Sequence, residues 1–179
     1  MKKTISLLAV SAISMPALAA DMDGWYGSMG GGVYRLDSGA FNDVAPTMKI
    51  LGGYNLSEFV ALEASYTRLF ESSDVIDGAR VAIDGNVWDF STRLSYPLKN
   101  RFSPFVRLGY SYVDTGARIN DSGVITRLSD YDNAFTWAVG SGFSVNRRVS
   151  VSGELARTLI QDGDLDFLTV RLNYGFGAQ

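Results

Sequence analysis

From residue 25 onward, apolar and polar side chains alternate with a period of two, in eight successive runs separated by polar stretches. In the first run Trp25, Met29, Val33 and Arg35 share one parity, and Tyr26, Ser28, Gly30, Gly32 and Tyr34 share the other. The next three set Met48, Ile50 and Tyr54 against Lys49, Leu51 and Asn55; Val60, Leu62 and Tyr66 against Glu63, Ser65 and Thr67; and Trp88, Phe90 and Leu94 against Asp89, Ser91 and Arg93. The second half repeats the pattern. Val106, Leu108 and Tyr110 oppose Arg107, Gly109 and Ser111, and Phe135, Trp137 and Val139 oppose Thr136, Ala138 and Gly140. Val149, Val151 and Leu155 oppose Ser150, Ser152 and Glu154; Leu168, Val170 and Leu172 oppose Thr169, Arg171 and Asn173. Each run has about nine to eleven residues, the length with which a tilted strand crosses a bilayer.

The connections alternate in length. Short turns fall near 55–58, 97–103 and 145–148, and long polar connections near 37–46, 69–86, 114–133 and 159–166. Short links on one rim and long links on the other predict an all-β fold, an eight-stranded antiparallel up-and-down transmembrane β-barrel. No linker or second domain is visible.

Which parity faces in decides the solvent. A soluble, lipocalin-like barrel would put the apolar parity inside. Here that parity carries bulky rings, whereas the other is rich in Gly, Ser, Thr and Ala. Eight strands enclose too little space for rings on every strand, so the small residues belong inside and the large ones against lipid. Trp25, Tyr54, Tyr96 and Tyr174 or Phe176 then form a rim girdle.

The N-terminus changes the picture by adding a destination. Lys2 and Lys3, an apolar run over 5–13, Met15-Pro16 and then Ala17-Leu18-Ala19-Ala20 read as a signal peptide over 1–20, cut after Ala19 or Ala20. The run is too short for a membrane helix. The barrel domain is then 21–179, exported to the outer membrane.

Charge and composition mainly exclude. The formal charge is -3, and -5 once Lys2 and Lys3 are removed, so nucleic acid is not an expected partner. Cysteine and histidine are both absent, so disulfides, thiolate metal sites and the commonest general base are excluded. No metal or other cofactor is expected. The segment Asp162-Gly-Asp164-Leu-Asp166 resembles a calcium loop only superficially, for it lacks the glycine and distal glutamate of an EF-hand.

Seven charges lie on the inward parity: Lys49, Glu63, Asp89, Arg93, Arg107, Glu154 and Arg171. Four cations against three carboxylates predict a paired network plugging the lumen; the other reading is a row of charges along an ion path. Arg35, Arg68 and Arg157 fall on the outward parity where runs meet long connections, at headgroup depth. Guanidinium suits phosphate, so these three are candidates for contact with lipopolysaccharide, against plain snorkelling. The long connections hold 13 of the 19 acids, and the short turns carry Lys99, Arg101, Arg147 and Arg148.

Gly24-Trp25-Tyr26-Gly27, Ala61-Leu62-Glu63-Ala64-Ser65-Tyr66, Pro104-Phe105-Val106-Arg107-Leu108-Gly109-Tyr110 and Val170-Arg171-Leu172-Asn173-Tyr174-Gly175-Phe176 follow one another in an order that resembles the small outer-membrane barrels of the OmpA transmembrane-domain and OmpX/Ail type. The last of these looks like the closing strand read by the barrel-assembly machinery. The family usually ends on the aromatic residue, whereas Gly177-Ala178-Gln179 follow here. No peptidoglycan-binding domain follows the barrel, so cell-wall tethering is not implied.

The expected function is that of a non-enzymatic outer-membrane β-barrel of the porin family, a monomer among outer-membrane lipids and lipopolysaccharide, acting structurally or by surface contact, such as adhesion to a host, through four long extracellular loops. A narrow pore for ions or small solutes is the alternative. Similar barrels that catalyse use serine or aspartate supported by histidine, which this chain lacks.

Overall fold

The computed structural model describes residues 24–38, 41–76, 79–98, 100–121, 124–160 and 163–176, with side chains described except at 36–38, 41–43, 72–76, 79–83, 117–121 and 124–130. Eight strands follow in order: β1 (Gly24–Ser38), β2 (Phe41–Asn55), β3 (Val60–Ile76), β4 (Ala79–Ser95), β5 (Phe102–Asp121), β6 (Val124–Ser144), β7 (Val149–Ile160) and β8 (Gly163–Gly175). Each pairs antiparallel with the next, and β8 returns to β1, closing the barrel. The up-and-down topology is the one the alternation predicts.

The stagger follows from the registers. Gly27 pairs with Gly52, Gly52 with Ala64, Ala64 with Phe90, Phe90 with Tyr110, and Tyr110 with Phe135. Phe135 then pairs with Leu159, Leu159 with Asp164, and Asp164 with Asp37, ten residues along β1 from the start. That shear goes with strands tilted by roughly 35–45°.

The faces are as the side-chain sizes require. Trp137 and Leu172 point outward, 39% and 51% exposed, while Glu154, Arg107 and Arg171 are buried inside. Ring pairs mark the two rims. Trp25–Tyr54, Tyr174–Phe176 and Phe102–Phe143 lie 5.0, 5.3 and 5.1 Å apart near the short turns. Tyr66–Trp88 and Tyr112–Tyr131, at 4.8 and 5.9 Å, lie toward the opposite rim. Rings whose bodies are apolar and whose tips are polar settle where hydrocarbon gives way to headgroups.

The strands are longer than the hydropathy suggests, at 12 to 21 residues. Most of what reads as long loop is hairpin. Pairing of β2 with β3 stops at Thr47–Leu69 and that of β6 with β7 at Phe135–Leu159. Strands β3 to β6 nevertheless stay paired up to Ile76–Ala79, Arg80–Asn120 and Asp121–Val124, with a bulge between Leu69 and Ser72. Above the bilayer a strand needs no apolar face, so the alternation fades, while the backbone still satisfies its N–H and C=O groups by pairing.

Candidate functional site

Every strand turns small or ionic residues into the lumen, and the closed backbone brings distant ones together. Glu154 on β7 is the hub: its carboxylate accepts from Lys49 Nζ at 3.4 Å, from Arg107 Nη2 at 2.9 Å and from Arg171 Nη2 at 2.9 Å. Arg107 on β5 also donates through Nη1 to Asp89 on β4, whose other oxygen accepts from Ser111 Oγ at 3.1 Å. Glu63 on β3 accepts from the Tyr26 hydroxyl at 2.5 Å and faces Arg93 Nη1 at 3.7 Å and Arg107 Nε at 3.9 Å. Arg93 lies nearer the short-turn rim, its guanidinium 4.1 Å over the Phe105 ring. Of these seven charges all but Arg93 are buried, and the buried six comprise three cations and three carboxylates.

Above the charges runs a row of hydroxyls. Ser111 and Thr136 share a hydrogen bond at 2.6 Å, and Thr136 and Thr158 one at 2.8 Å. Higher still, Tyr34, Leu69, Val87, Val113, Leu165 and Phe167 meet in a buried apolar cluster. Between the charges and this cluster lies a cavity of about 20 Å³, room for about one or two waters.

Sequence reasoning missed the apolar cluster, the hydroxyl row and the part played by Tyr26. The signal was available: Leu69, Val87, Val113 and Leu165 continue the inward parity past the ends of the runs. They look like loop residues only when a run is judged to stop where its outward parity loses its apolar character.

The three outward arginines have carboxylate or amide company. Arg157 grips Asp166 through Nε and Nη2 at 2.6 and 2.7 Å and reaches Asp164 with Nη1 at 3.2 Å. Arg68 donates to Asn86 Oδ1 at 2.8 Å and to Asp84 Oδ2 at 3.0 Å. Arg35 is exposed on β1, opposite Asp166 of β8. The two acids of the calcium-like segment that are described, Asp164 and Asp166, therefore both face a guanidinium, and Asp162 lies outside the described residues.

The model of the outer membrane protein beta-barrel domain family matches residues 5–176. The chain belongs to that family. As an outer membrane protein beta-barrel it resides in the outer membrane, and its ringed exterior is the surface that lipid covers. Among solved structures it is similar to Neisserial surface protein A, at 13% identity and TM-score 0.67, over 86% of this chain and 98% of that one. It is similar too to Ail, the attachment invasion locus protein of Yersinia pestis, at 13% identity and TM-score 0.62, over 86% and 99%. A third is OprG from Pseudomonas aeruginosa, at 10% identity and TM-score 0.62, over 85% and 96%. No curated protein matches the chain in sequence. At such identities the likeness extends to the fold alone.

Proposed function

We propose that the protein is a closed, non-enzymatic barrel that acts at the cell surface through its raised hairpins, in adhesion or contact with another surface. The observation that carries this reading is the filled lumen beneath a projecting sheet. Charges, hydroxyls and the apolar cluster occupy the interior in turn, while β3 to β6 continue beyond the level at which the barrel closes. A sheet standing clear of the bilayer is where contact would be made, since the rest of the barrel is committed to lipid and lumen. Its stretches at 69–86 and 114–133 hold eight acids and three arginines, so a partner with basic character suits it.

Removing the tips of the β3–β4 and β5–β6 hairpins is expected to abolish binding to cells or matrix while leaving a folded barrel. Planar bilayers containing the intact protein should stay silent. Discrete, reproducible openings would support the narrow-pore reading instead, because an aqueous path through the lumen would have to exist.

The finer lipid contact belongs to the same proposal. This reading sets Arg35, Arg68 and Arg157 at headgroup depth; what supports it is that the side chains of Arg68 and Arg157 keep 40% exposure beside their carboxylates. A lipopolysaccharide phosphate can share such a guanidinium. Changing all three to Ala should lower the gain in thermal stability that lipopolysaccharide gives over plain phospholipid; an unchanged gain removes the arginines from the contact. Export by cleavage of residues 1–20, which lie outside the described residues, and insertion by the barrel-assembly machinery through 170–176 are parts of the same reading.

A further inference from the structure

The short-turn rim, periplasmic in barrels of this kind, is electrically lopsided. The turn at 56–59 between β2 and β3 carries Glu58 and no cation. The turns at 96–101 and 145–148 carry Lys99, which lies outside the described residues, together with Arg101, Arg147 and Arg148, all exposed; among the described residues none of the three arginines is in an ion pair.

The backbone holds these two turns together. Ser144 N donates to Arg101 O at 2.9 Å, joining the first turn to the strand that leads into the second. Asn146 Oδ1 accepts from the backbone N of both Arg148 and Val149 at 2.8 Å, fixing the second turn. Gly175 N donates to Arg148 O at 2.8 Å, anchoring it to β8.

Arg101 has φ 68, the single positive φ outside glycine among the described residues. Glycine or asparagine would adopt that conformation more cheaply. A strained position occupied by a long cation points to use of the side chain rather than of the turn. Beside it sit Phe102 and Phe143, an outward ring pair 5.1 Å apart. Rings of this kind fix the depth at the border of hydrocarbon and headgroups, so the guanidiniums next to them lie in the headgroup layer.

We infer that the β4–β7 sector of the short-turn rim binds anionic phospholipid of the inner leaflet, with Arg101, Arg147 and Arg148 on the headgroup phosphate and Phe102 and Phe143 against the glycerol and upper acyl chain. Three arginines near an anionic surface give a preference for phosphatidylglycerol over phosphatidylcholine on the order of a hundredfold.

The test is native mass spectrometry of the folded full chain in detergent, titrated with phosphatidylglycerol or phosphatidylcholine of identical acyl chains. The intact protein should retain phosphatidylglycerol about a hundredfold better. The triple variant Arg101→Gln, Arg147→Gln, Arg148→Gln, which keeps Lys99, should lose most of that preference and approach the level of phosphatidylcholine. Single variants Arg147→Gln and Arg148→Gln, each outside the strained position, should lose part of the preference, which keeps the test decisive if Arg101→Gln impairs folding. A preference that survives all the variants overturns the inference. So does complete displacement of the lipid by millimolar inorganic phosphate, which would mark an anion site with no need of a lipid.

Discussion

Glu154→Gln should lower the unfolding free energy by about 3–5 kcal/mol, the range seen when one partner of a buried ion pair is removed. The carboxylate faces Lys49, Arg107 and Arg171 at once. Glutamine keeps the shape and one acceptor but leaves three buried cations against two carboxylates. No water in the surrounding lipid can screen that imbalance, and the cavity beside the network has room for about one or two waters. Removing Lys49 as well, by Lys49→Met, should recover a good part of the loss, because it restores the balance of buried charge. Urea unfolding in vesicles, followed by tryptophan fluorescence, reads both numbers. A loss below about 1 kcal/mol would mean that the network contributes no more than an exposed pair does, and the plug would have to be credited to packing alone.

The second large effect is at the seam. A Cβ on Gly32 would overlap the Leu168 carbonyl oxygen and stand 2.8 Å from Thr169 Cα; one on Gly30 would overlap the Val170 carbonyl oxygen and stand 2.7 Å from Arg171 Cα. Both obstacles are main chain of β8, across the pairing that closes the barrel. Backbone in a closed sheet cannot swing aside as a rotamer can. Gly32→Val should therefore cost more than the roughly 1–3 kcal/mol usual for overpacking, and on heat-modifiable gels the compact band should be lost. Gly52→Val is the matched comparison. It lies in β2, and a Cβ there has nothing within 4 Å, so the variant should fold like the parent. If Gly32→Val ran as a compact barrel too, the close approach of β1 and β8 would be without consequence for folding.

Much of the fold was legible because a membrane barrel writes two environments on alternate residues. Trp137 and Leu172 on one parity and Glu154 and Arg171 on the other state opposite solvents, and eight such runs with alternating link lengths admit few topologies. The upper ends of β3 to β6 were illegible for the same reason. Once water lies on both sides of a strand, residues such as Asp114 and Asp132 obey no alternation, though their backbones still pair.

The candidate site divides similarly. The sequence by itself determined which residues of the eight runs face the lumen, since parity alone does that, and it determined that cations and carboxylates there nearly balance. Only the tertiary structure decided who meets whom. Glu154 reaches Lys49 from 105 positions away, a partnership fixed by the ten-residue shear and the closure of β8 on β1, which no local pattern encodes. The same closure carried Leu69, Val87, Val113 and Leu165 over the charges as a cap. The register between strands is a property of the whole ring, and a side chain's neighbours across the lumen follow from that ring rather than from its own stretch of chain.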